Sequence, residues 1–231
     1  MTTNEALWQR APEALGLARK DARDAHSRGD NIGGHICMLS AYQSVYSNAP
    51  VVKKGFYAIL ALWHALCLSY FGDLNHNQLN ILIQFWIRFY KKLPWLFRGS
   101  NRKNLVLLVA MEHNKIERSN EEVFPHQQAL AFLNSAQVFQ LMSKRKEARY
   151  YVEQALLLRE EVFKEGDYLL GMRQFVRVYR IAAEVMAEYD TETAYNYLLS
   201  ALMLVMSDEK NSDQERKVRL EFAQLKKRMH L

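Results

Sequence analysis

Apolar residues recur three and four positions apart along almost the whole chain, in segments of roughly 15–22 residues. Residues that stop helices separate the segments: Gly29-Asp30, Asn48-Ala49-Pro50, Gly72-Asp73, Pro94, Gly99-Ser100, Pro125, Gly166-Asp167 and Asp190-Thr191. The pattern predicts nine or ten amphipathic helices joined by short connections, so that neighbours run antiparallel. Nine Gly and four Pro are too few to punctuate a sandwich or barrel of many short strands. The expected class is all-α, built of antiparallel helical hairpins.

A longer pattern lies over the helical one. Phe132 and Phe139 flank Ala136, a turn follows around Ser143 to Lys146, and Ala148, Val152 and Ala155 come next. The same offsets return at Val178, Ala182, Val185, Ala194, Leu198 and Ala201, and more weakly at Ala18, Ala22, Ala25, Gly34, Met38 and Ala41. Twelve positions separate the paired small residues in each copy: Ala136 to Ala148, Ala182 to Ala194, Ala22 to Gly34. Small side chains there let two helices approach closely while bulky ones fill the groove beside them.

With these offsets, and with the run Glu147-Ala148-Arg149-Tyr150-Tyr151-Val152-Glu153-Gln154-Ala155-Leu156, the chain resembles the tetratricopeptide repeat family. The match is good over 132–163, fair over 178–206 and poor over 18–48. Ala136 and Ala182 stand 46 positions apart, where the ordinary repeat takes about 34. Asn77 and Gln84 occupy the small-residue places of segment 55–97. The resemblance implies a right-handed solenoid occupying 1–231 as a single domain: divergent hairpins over 18–97, tetratricopeptide-like hairpins over 125–207 and a capping helix over 211–231. In that last segment Val218, Leu220, Phe222 and Leu225 form an apolar stripe ahead of Lys226, Lys227 and Arg228.

Composition adds modest constraints. A hydrophobic fraction of 49% supplies a sizeable core. Cys37 and Cys67 are too few for a disulfide framework, and Met1 to Arg10 contains no apolar run of signal-peptide type, which together predict an intracellular, cytoplasmic location. A formal charge of +6 favours acidic partners. Phosphate loops, dinucleotide fingerprints, zinc-protease helices and hydrolase elbows are absent from the sequence, so no catalytic residue and no cofactor is assigned. His35, Cys37, His64 and Cys67 form the one conceivable metal set, but within apolar helices such residues read as core, and no metal is expected. Residues 55–72 are uncharged and follow Lys53-Lys54. At this length a helix buried within the stack is expected rather than a membrane span.

Two surfaces are candidates for binding. From Leu74 to Met111 there is no Asp or Glu, while Arg88, Lys91, Lys92, Arg98, Arg102 and Lys103 stand among Phe85, Trp86, Phe89, Tyr90, Trp95 and Phe97. This mixture suits single-stranded nucleic acid or an anionic membrane surface, unless the rings are core and the cations lie over them. Further on, Arg173, Arg177 and Arg180 fall at i, i+4 and i+7 on one helical face, a row that can take carboxylates in bidentate fashion. In the resembling family the first helix of each hairpin lines the binding groove. By register this implies Asn134, Gln137 and Gln140 as groove neighbours one hairpin earlier. The expected function is a non-catalytic scaffold or adaptor for an acidic protein segment, with no small-molecule substrate. The alternative is a peripheral membrane- or nucleic-acid-associated factor docking through 85–103.

Overall fold

The computed structural model describes residues 11–70, 73–118, 124–164, 168–206, 218–224 and 227. Every regular element among them is helical: α1 (Ala11–Ser27), α2 (Asn31–Asn48), α3 (Val51–Tyr70), α4 (His76–Lys92), a 3₁₀ turn (Pro94–Leu96), α5 (Ser100–Glu117), α6 (Pro125–Leu141), α7 (Arg145–Leu157), α8 (Arg159–Lys164), α9 (Tyr168–Met186) and α10 (Thr191–Met206). Residues 218–224 are helical as well. The all-α class is as expected; the breaks at Gly72 and Gly166-Asp167 lie outside the described residues.

Local chemistry sets the boundaries. Gly29 adopts a left-handed φ of 80°, and Asp30 then caps α2 by accepting from the Gly33 amide at 2.7 Å. Asn75 and Gln78 cap α4 reciprocally, each side chain accepting from the other's amide at 3.0 Å. Pro94 cannot continue α4, which ends at Lys92. Asp190 accepts from the Thr193 amide at 3.0 Å and starts α10.

The chain divides into two compact units, Met1–Phe89 and Tyr90–Leu231. In the first, α2 packs against both α1 and α3. Ala22 and Gly34 of the weak repeat are buried where α1 meets α2. A Cβ at Gly34 would sit 2.6 Å from His26 Nε2, so the exposed His26 ring would have to shift to admit one.

In the second unit, α6 pairs with α7 and α9 with α10, while α6 also touches α5, α8 and α9. Ala136, Ala148, Ala182 and Ala194 are each fully buried in one continuous core with Val152, Val178, Val185 and Leu198. Phe132 and Phe139 pack against this core from its edge. Val218 is buried in it too, and Phe222 lies 4.7 Å from Tyr195, ring centre to ring centre. The rest of the expected cap, 211–217, 225–226 and 228–231, lies outside the described residues.

One expectation is corrected. Segment 55–72 was expected to be buried within the stack, but α3 is buried on a single face, through Ala61, Ala65 and Leu68. Among the described residues α2 packs on that buried face, and the opposite face is exposed. Among the described residues no helix is long and apolar enough to cross a membrane.

Candidate interaction surface

From Gly55 to Tyr70 the chain has no charged residue, yet the outward face of α3 carries Phe56, Ile59, Trp63, Leu66 and Tyr70 at 60, 67, 63, 42 and 89% exposure. The intervals are three, four, three and four residues, which aligns all five along one narrow stripe. Three of the five are aromatic, with about 150–250 Å² each, and Ile59 and Leu66 are little smaller, so at these exposures the five together uncover roughly 600 Å². That is the upper end of what a monomeric protein leaves uncovered, and such patches mark binding faces.

The inward face of α3 fixes this orientation. Ala61 and Ala65 bring α2 close, and rings then meet across the contact: Tyr42 lies 6.1 Å from Tyr57 and 5.7 Å from His64. His35 Nδ1 and His64 Nδ1 are 2.8 Å apart, so one ring donates and the other accepts. His26 of α1 stands edge-on to His35 at 5.6 Å, and its Nδ1 is 2.9 Å from Asn31 Oδ1. Three helices are thus joined by three imidazoles. Burial, then the neighbouring His35 and His26, push the His64 pKa down to about 4; burial and His26 lower that of His35. Two of the four residues weighed as a metal set therefore meet as hydrogen-bond partners. Cys37 and Cys67 are half-buried free thiols. No group of three or more His, Cys, Asp or Glu among the described residues is arranged to hold a metal ion.

The residues expected to line a groove lie elsewhere. Asn134 is wholly buried, and its Nδ2 donates to both carboxylate oxygens of buried Glu112 at 3.0 and 2.8 Å. Gln137 is buried, and so is Gln140, whose Nε2 donates to the Glu184 carbonyl at 3.4 Å. The reason is the central place of α6, which α5, α7, α8 and α9 surround. Arg180 grips both carboxylate oxygens of Glu221, Nε to Oε2 at 2.8 Å, so the chain's own C-terminal segment occupies that guanidinium. Arg173 and Arg177 are half-buried on the same helix. Beside Asn134, Ser135 Oγ donates to the Ala131 carbonyl at 3.3 Å and lies 2.9 Å from His113 Nε2. At 1% exposure this hydroxyl is closed to any substrate.

In the basic-aromatic segment, Phe85, Tyr90 and Phe97 are buried and Trp86 and Phe89 half-buried, while Trp95 alone of the six rings is exposed. Lys91 pairs with Glu184 at 2.8 Å. Arg102 donates to the Phe97 carbonyl at 3.1 Å and lies over the Phe97 ring. Arg88, Lys92, Arg98 and Lys103 are exposed. A stacking platform needs a row of accessible rings, and a single tryptophan is not one.

The α3 stripe was missed at the level of sequence although its signal was present. Phe56, Ile59, Trp63, Leu66 and Tyr70 keep heptad spacing, but the uncharged residues between them make the helix read as apolar all round. No family model, curated protein or solved structure matches the chain.

Proposed function

We propose that this chain is a non-catalytic interaction scaffold, a stack of helical hairpins of tetratricopeptide-like character in its C-terminal half, which holds a helical segment of a partner against α3. The observation that carries the reading is the exposed Phe56-Ile59-Trp63-Leu66-Tyr70 stripe, whose heptad spacing suits a helix laid along it. The repeat-like character is supported by the complete burial of Ala136, Ala148, Ala182 and Ala194 at matching places in two consecutive hairpins. The test is affinity capture from the native host with the wild-type chain and with Trp63→Glu. Partners held by the stripe are expected to be lost from the variant; an unchanged set would contradict the reading.

A second reading concerns an acidic segment on α9. It is favoured by Arg180, which already receives a carboxylate from Glu221 in bidentate geometry. This face of α9, which also carries Arg177 and Arg173, thus holds one acidic segment already, and an acidic partner would have to displace it. Captured partners that bind Arg173→Ala/Arg177→Ala as tightly as wild type would exclude it.

A further inference from the structure

We infer that the occupant of the α3 stripe is α3 of a second copy of this chain, the two helices running antiparallel with Trp63 on the two-fold axis. The inference deepens the scaffold reading and rests on it.

Three observations choose this occupant. The first is the layout of the stripe. Phe56 and Tyr70 each lie seven positions from Trp63. A two-fold axis through Trp63 sets Phe56 against Tyr70, Ile59 beside Leu66 and Trp63 against its own copy, so one surface is its own complement. The second is charge. Nothing between Gly55 and Tyr70 would complement a charged segment. Antiparallel pairing keeps Lys53 and Lys54 of one copy away from those of the other. Parallel pairing would instead set Lys53 and Lys54 beside their own copies, at a Coulomb cost. The third is area. Two faces of roughly 600 Å² bury about 1,200 Å², the threshold of a specific interface.

Other occupants fit less well. The stretch 207–217, SDEKNSDQERK, has no apolar residue to offer the stripe. An anionic lipid surface would look for cations beside the apolar face, and α3 carries none from Gly55 to Tyr70.

Sedimentation equilibrium of the purified full-length chain, over about 1–100 μM, tests the pairing. Wild type is expected as a dimer. Ile59→Glu and Trp63→Glu are expected to weaken it at least about 30-fold, with helical circular dichroism retained because both side chains face solvent in the monomer. Trp63→Ala serves where a Glu variant fails to fold. A wild-type monomer over the whole range, or a dimer indifferent to both Glu variants, overturns the inference. So does a monomer that pellets with phosphatidylserine vesicles through the stripe, which would assign this face to lipid. A monomeric chain that still loses captured partners on Trp63→Glu would refute self-pairing and leave the scaffold reading standing.

Discussion

His64 and Asn134 show how single polar residues hold this protein together. The His35–His64 contact works only while at least one ring is neutral, and both folded-state pKa values lie below that of an unfolded histidine. Between pH 6.5 and about 4 the unfolded chain therefore binds more protons than the folded one, so stability is full above that window and declines as pH falls through it. His26, itself bonded to Asn31, and Tyr42 also face the pair. Because the His64 ring is half exposed, the loss should be on the order of 1 kcal/mol. Thermal midpoints recorded from pH 7 to pH 4.5 should fall further for wild type than for His64→Phe; parallel slopes would remove the pair from the account. For Asn134 the expectation is an effect on stability first. Asn134→Leu strips the Glu112 carboxylate of two donors in the core, which costs about 1–3 kcal/mol or more by urea denaturation. A stable variant that had lost only partner binding would return Asn134 to the groove that the repeat register suggested.

Among the elements, hairpins α6/α7 and α9/α10 depend on alanines at their crossings. Ala148→Leu and Ala194→Leu each force a larger side chain into a fully buried contact and should cost about 1–3 kcal/mol. Unchanged thermal midpoints in both would mean that the twelve-residue offset is not a packing rule. These two hairpins were legible in the sequence because the contacts that define them are local: small residues twelve apart, a turn between, bulky residues at fixed flanks. Helix ends were legible for the same reason, since Asp30, Pro94 and Asp190 act on their immediate neighbours. What could not be read was which faces other elements cover. Asn134 looked like a groove residue because Glu112, its partner, is 22 positions earlier on a different helix. The outer face of α3 looked buried because its composition is that of a core, and only the arrangement of α2 reveals that one side is left open.

At the scale of the whole molecule, two polar contacts that a site could have used are spent within the fold. The hydroxyl–imidazole contact of Ser135 and His113 is sealed in the core, and the Arg180 guanidinium is taken by Glu221. The stripe on α3 is a large feature that packing among the described residues does not use, and it gives the proposed scaffold its working face. A photoreactive amino acid placed at Ile59, in the native host, tests that claim most directly. Discrete protein adducts, either to this same chain or to a partner, are expected, and they should disappear when Trp63→Glu is introduced alongside. Labelling that yields no protein adduct, or adducts that Trp63→Glu leaves unchanged, would contradict it.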